Sequence, residues 1–169
     1  NWVHPMTQTP YHLCLTGGEP MLKKNQQNIV ELFREMLDRG NFPKFVTVET
    51  NGTQPLIQEM IDLIIELQYE HDVEWFWSIS PKLWTTAGEK PKKAIKPEVW
   101  GDYYNVSPDG QFKFVVNGTE RSWAEVESCQ HKAHEQLCFF PIWVMGVGGT
   151  FEGLVQTEEM IADECLVRG

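Results

Sequence analysis

The sequence predicts an α/β fold, a partial (β/α) barrel with mostly parallel strands. Three observations carry this. Short runs rich in β-branched and aromatic residues alternate with segments of helical period. Those runs are almost continuously apolar, as in parallel sheets, rather than alternating with polar residues. Four of the five end in a small, polar or glycine-rich motif. At 169 residues, 1–169 reads as one domain. A closed eight-fold barrel needs roughly 250 residues. The chain, starting at Asn1 and stopping at Gly169, therefore reads as an internal piece of a longer protein. An N-terminal segment and the C-terminal end of the barrel are expected to lie outside it.

The elements follow in order. The apolar run 11–15 is the first strand and meets Thr16-Gly17-Gly18-Glu19-Pro20. A helix is predicted over 25–39, because Ile29, Phe33, Met36 and Leu37 share one stripe and Gly40 follows as a stop. Residues 45–48 form a second strand, ended by Glu49-Thr50-Asn51-Gly52-Thr53. The pattern over 56–67 is a second helix, with Leu56, Met60, Ile61, Ile64 and Leu67 apolar. A third strand, 75–79, is closed by Ser80-Pro81-Lys82, and a long irregular stretch rich in Pro, Gly and Lys follows. Residues 112–116 are the fourth strand and 122–136 the third helix, with Ser122 as its cap. A fifth strand over 139–144 ends in Met145-Gly146-Val147-Gly148-Gly149, and Thr157 caps a last helix carrying Met160, Ile161 and Cys165. Such alternation implies parallel pairing through right-handed crossovers.

Composition excludes several classes of function. Asp and Glu outnumber Lys and Arg by 24 to 14, for a net charge of −10. This speaks against nucleic acid as a partner. The one basic run, Lys90, Lys92, Lys93 and Lys96, reads as a solvated loop. No apolar stretch approaches the roughly 20 residues of a membrane span, so no membrane partner is expected. The cysteines Cys14, Cys129, Cys138 and Cys165 form no CxxC pair. A reducing, cytoplasmic setting is the expectation, with Cys14 buried in its strand as a small apolar residue. The three Asn-x-Ser/Thr sequons are then incidental.

In parallel α/β folds the carboxyl ends of the strands build the active site. Four motif-bearing ends pointing one way would define one cleft. Two glycines let a ligand reach backbone N–H and C=O groups, Glu19 offers an acceptor for an ammonium group, and Pro20 suits a first helical turn. Neither a Walker loop nor G-x-G-x-x-G is present. A glycine edge beside a carboxylate suits a zwitterionic amino acid better than a polyphosphate.

Leu15-Thr16-Gly17-Gly18-Glu19-Pro20 resembles the GGEP motif of radical S-adenosylmethionine (SAM) enzymes. Val48-Glu49-Thr50-Asn51-Gly52-Thr53, Ile79-Ser80-Pro81-Lys82-Leu83 and Phe112-Lys113-Phe114-Val115 are similar to segments of the 7-carboxy-7-deazaguanine synthases, in the same order. The likeness runs over about 11–169. It implies a barrel of the radical SAM type. It places Thr16 against a pterin substrate, and Gly17, Gly18, Glu19, Glu49, Asn51, Ser80, Pro81 and Lys82 around SAM. Met145, Gly146, Val147 and Gly148 match a further SAM-contacting segment that in relatives reads M-P-x-G, so Gly146 is expected to loosen that loop.

The resemblance also implies a chemistry. SAM bound to a 4Fe-4S cluster is cleaved by one electron, from a donor such as flavodoxin. The resulting radical takes a hydrogen from 6-carboxy-tetrahydropterin, whose ring contracts with loss of ammonia to 7-carboxy-7-deazaguanine. Magnesium assists in the complete family enzyme, and a homodimer is among the arrangements allowed. Ligation of the cluster takes three thiolates at CxxxCxxC-like spacing. Ahead of Thr16 only Cys14 occurs. The cluster segment, with the magnesium position, is therefore expected outside this chain, which alone would not cleave SAM. The rival readings are another radical SAM enzyme, such as a glycyl-radical activase, and a non-catalytic truncated barrel.

Two further features bear on the site. Lys113 shares a strand face with Gln111 and Val115. If the phenylalanines pack under helices it points into the barrel, with Glu49 as partner; the alternative is an edge strand with Lys113 in water. Cys129, His131, His134 and Cys138 fall along one helical segment, but their spacing matches no common zinc pattern.

Overall fold

The structure, a computed structural model, describes residues 2–148 and 151–168. The elements are β1 (His12–Leu15), α1 (Lys23–Asp38), β2 (Phe45–Thr50), α2 (Gln58–His71), β3 (Glu74–Ile79), α3 (Trp84–Ala87), α4 (Pro91–Ala94), α5 (Pro97–Val106), β4 (Gly110–Val116), α6 (Glu120–Glu135), β5 (Ile142–Gly146) and α7 (Phe151–Arg168). The strands form one sheet in the order β1-β2-β3-β4-β5, every pair parallel. Consecutive order with crossovers of one hand sends the connecting helices to a single face.

Burial alternates accordingly. Val46, Val48 and Thr50, then Trp75, Trp77 and Ile79, then Phe112, Phe114 and Val116 are buried beneath the helices. Thr47, Glu49, Phe76, Gln111, Lys113 and Val115 point the other way and are half-buried. No described element covers that second face. The sheet is mixed-class α/β and open, and nothing among the described residues closes it into a barrel.

The helical side is held by aromatic packing. Trp77 stacks on Tyr103 with ring centroids 4.4 Å apart, and Trp75 meets Trp77 edge-on at 5.5 Å. Gly40 closes α1 as expected: its N–H donates to the Leu37 carbonyl, and Asn41 N–H donates to that of Met36. No helix of the described residues is long and apolar enough to cross a membrane.

Five expectations are corrected. The irregular stretch after β3 contains α3, α4 and the ten-residue α5. Pro91 and Pro97 stand in the first turn of their helices, where proline starts rather than breaks a helix. The cap of α6 is Thr119, whose hydroxyl accepts from Ser122 N–H at 3.3 Å. The fifth strand begins at Ile142, one residue past Pro141, whose ring removes the N–H a ladder needs. Thr157 lies inside α7, which begins at Phe151. Cys14 is exposed, because β1 is an edge strand and its Cys14 face is the uncovered one.

Candidate functional site

The carboxyl ends of β1, β2 and β3 open together on a cleft of about 360 Å³. Thr16, Gly17, Gly18 and Glu19 line it from β1, with Glu49, Thr50 and Asn51 from β2. Ser78, Ser80 and Lys82 come from β3 and its loop, and Lys113 rises from β4. Pro81 is buried and outside this lining.

Two side chains lock the loops. The Glu19 carboxylate accepts from the Thr50 hydroxyl (2.6 Å), Asn51 N–H (2.9 Å) and Met21 N–H (3.0 Å), tying the β1 loop to the β2 loop. Gln26, fully buried on α1, does the same from beneath. Its amide donates to the carbonyls of Met21 (2.6 Å) and Pro55 (2.9 Å), and its Oε1 accepts from Ile57 N–H (2.9 Å). The β2 loop is held from the helix side too. Trp100 Nε1–H donates to the Gly52 carbonyl at 3.0 Å, and Tyr103 O–H to that of Gln54 at 2.7 Å. Asn51 folds its side chain into its own turn, Oδ1 accepting from Thr53 N–H and the Thr53 hydroxyl.

The glycines divide by cause. Gly52, at φ +69°, is demanded by the protein: a Cβ there would meet Ile79 Cγ2 at 2.5 Å and Trp100 Nε1 at 2.7 Å. Gly18 has no positive φ, and a Cβ there would meet nothing within 4 Å. The chain itself gives no steric reason for Gly18, so its bare backbone edge is available to a ligand.

On the uncovered face, the Thr16 hydroxyl donates to Glu49 Oε2 at 3.0 Å, and Lys113 Nζ donates to Glu49 Oε1 at 3.3 Å. These two bonds, the Thr16 one foremost, hold the Glu49 carboxyl below its ordinary range. β4 is an interior strand with its phenylalanines under the helices, so Lys113 faces the cleft with Glu49 as its partner. Gln111 Nε2 donates to Ser78 Oγ at 3.3 Å, and Lys82 Nζ reaches Ser80 Oγ at 3.5 Å. Cys14 sits on the same face, its thiol raised by burial and then by the charge of Glu49.

The expected fourth loop is placed differently. Met145 and Gly146 belong to β5. Gly146 is buried with a Cβ position 2.9 Å from Thr157 Cγ2, so glycine there admits the close approach of α7 rather than loosening a loop. Met145 instead lines a second groove of about 290 Å³, with Gln111, Lys113, Trp143 and Val144, which adjoins the cleft at Lys113. Val147 and Gly148 are exposed and line neither, and Gly149 lies outside the described residues.

Fifty residues of the chain are 44% identical to a 7-carboxy-7-deazaguanine synthase from Methanospirillum hungatei JF-1. The matched stretch is 30% of this chain and spans only 19% of that protein's length. No protein-family model and no solved structure matches the chain.

Sequence reasoning did not single out Thr50, Ser78 or Gln26. Ser78 was the findable one, a lone hydroxyl in an apolar strand at the same parity as Ser80. The remaining chemical cluster does not assemble. Cys129 and Cys138 are buried, their thiols pushed up by burial to about 12 and about 11. His131 turns to Glu135 and His134 to the Phe139 ring. Among the described residues no group of three or more His, Cys, Asp or Glu is placed to hold a metal ion. What the cleft offers is an open backbone edge between cations (Lys82, Lys113) and carboxylates (Glu19, Glu49), a complement to a zwitterion.

Proposed function

We propose that the complete protein is a radical SAM lyase of deazapurine biosynthesis, similar to 7-carboxy-7-deazaguanine synthase. It would convert 6-carboxy-5,6,7,8-tetrahydropterin to 7-carboxy-7-deazaguanine with loss of ammonia. The observation that carries this reading is the convergence of Thr16-Gly17-Gly18-Glu19, Glu49-Thr50-Asn51 and the Ser80–Lys82 segment on one cleft with an unobstructed glycine edge. The local identity to a synthase of that name supports it.

The cleft fits SAM. The amino-acid end would lie along Gly17 and Gly18, its ammonium toward the carboxylates and its carboxylate toward Lys82. Bound SAM, with a reduced cluster and an electron donor such as flavodoxin, would supply the radical chemistry. This chain's share is binding and orientation: Gly18 gives close approach, Glu49 and Thr16 fix one wall, and the loop ties at Glu19 keep the walls still. For a 4Fe-4S cluster and magnesium the described residues offer no group of three or more His, Cys, Asp or Glu placed to hold a metal ion.

Calorimetric titration with SAM tests the site. The protein should bind SAM, and Gly18→Val, whose Cβ would meet nothing within 4 Å, should lower the affinity by about tenfold or more with the melting temperature little changed. Equal affinity in protein and variant would remove SAM from this cleft.

A further inference from the structure

The basic run of the sequence is the strongest feature that the SAM reading leaves unused. Residues 82–96 hold five lysines (Lys82, Lys90, Lys92, Lys93 and Lys96) against one acid, Glu89, in a chain of net charge −10. The run is no solvated loop: it lies in and around α4, between α3 and α5. Across from it, α6 adds Arg121 and Lys132. These seven are half of the 14 Lys and Arg of the chain. Lys90, Lys92, Lys93, Lys96 and Lys132 make no ion pair with any described residue. Lys90, Lys92 and Lys93 are also exposed, so packing gives no reason for their gathering.

Between α3–α4 and α6 lies a groove of about 210 Å³. Leu83, Trp84, Pro91, Ile95 and Ala124 make it apolar, and Lys82, Arg121 and Lys132 line it as well. The Trp84 indole is 42% exposed. Glu125, the one carboxylate of the lining, is spent within the chain. It accepts from Thr85 N–H at 3.2 Å and from the Thr85 hydroxyl at 3.0 Å, which fixes α3 to α6. The groove is thus built by the chain itself, and the charge left around it is positive.

Shape and charge together select the occupant. The volume is below the roughly 300 Å³ at which pockets for whole small ligands begin, and suits one large side chain. A bilayer takes protruding apolar groups, whereas these are recessed. A nucleic-acid backbone would leave the apolar walls uncovered and meet a chain of its own sign. A peptide that sets a bulky apolar residue between carboxylates matches both parts, the side chain filling the groove and the acids meeting the lysines.

We propose that the surface formed by α3, α4 and α6 docks an acidic segment of a partner protein, anchored by an apolar side chain against Trp84. This surface is independent of the SAM reading. Lys82 lines both the groove and the cleft, so the docked segment sits beside the cleft.

Selection of a displayed library of random peptides on the protein, followed by fluorescence polarisation of the peptides selected, tests it. They should carry Asp or Glu on both sides of a Phe, Trp or Leu, and bind more weakly as salt rises. Lys92→Glu with Lys93→Glu should weaken them by about tenfold or more. Lys23→Glu with Lys24→Glu, the same charge change on the exposed start of α1, should leave them within about twofold, which excludes net charge as the cause. Trp84→Ala should cost about tenfold. Peptides without that pattern, or binding insensitive to both Trp84 and the Lys92–Lys93 pair, overturn the proposal. So does a preference of this face for phosphatidylglycerol vesicles, a single-stranded oligonucleotide or a second copy of the chain, lost in the Lys92–Lys93 variant. SAM affinity should be unchanged in that variant, since neither lysine lines the cleft. Absence of SAM binding with the peptide dependence intact refutes the SAM cleft alone, and the reverse refutes the docking surface alone.

Discussion

Lys113 Nζ stands 3.3 Å from Glu49 Oε1 although 64 residues separate the two in the chain, with β3 lying between their strands. The bond crosses the uncovered face of the sheet and links the β2 wall of the cleft to the groove on β4. The Thr16 hydroxyl completes the chain from the other side. One carboxylate thus ties together three strands at the place where a ligand would enter.

The pH dependence of that tie has a definite sign. Thr16 and Lys113 depress the folded-state pKa of Glu49 below its unfolded value. Its contribution to stability is therefore fully present above the ordinary carboxylate range and lost as pH falls through the depressed value. Melting temperatures at pH 7, 5, 4 and 3 should show the protein more stable than Glu49→Gln at pH 7, with the gap closing toward pH 3. A gap constant across the series would show that the charge of Glu49 is not stabilising. Because the side chain is 43% exposed, the gap should also shrink in high salt.

Two glycines of the cleft loops should respond oppositely to the same change. Gly52→Ala forces a Cβ into Ile79 and Trp100 at a left-handed φ and should cost about 2–4 kcal/mol in urea unfolding. Gly18→Ala meets open space at an ordinary φ and should stay within about 0.5 kcal/mol. Equal costs would mean that the two loops are not built as described.

Gln26 has the largest structural task of any buried polar side chain near the cleft. Gln26→Leu keeps the volume but strands the Met21 and Pro55 carbonyls and the Ile57 N–H. A loss of about 2–4 kcal/mol is expected, with faster amide exchange at Ile57, whose N–H donates to Gln26. Exchange unchanged at that amide would show that the clamp is not formed.

Much of this was readable from residue order. The stripe of Ile29, Phe33 and Met36 and the stop at Gly40 place α1, and the run Trp75-Phe76-Trp77 places β3. Parallel pairing followed from alternation alone, whereas the sequence left Lys113 open between the sheet's inner face and an edge strand in water, and only the interior place of β4 decided it. The misreadings share a cause. The stretch that holds Pro91 and Pro97 was read as irregular because a proline's effect depends on whether it opens a turn or interrupts one. Cys14 was placed inside because sequence does not say which strand is the edge. Gly146 looked like loop chemistry because the helix that requires its missing side chain arrives from 11 residues further on, at Thr157.

Residue order by itself determined the alternation of strands and helices, the parallel sheet and the three motifs at strand ends, since these depend on periodicity and on neighbours one or two positions away. Tertiary structure alone decided that Glu19 and Gln26 serve as ties and that Gly18 but not Gly52 is free of internal demands. It also put Trp143 beside Lys113. Each of those depends on atoms brought together from distant segments, and such distances are set by packing and strand register, which local pattern does not encode.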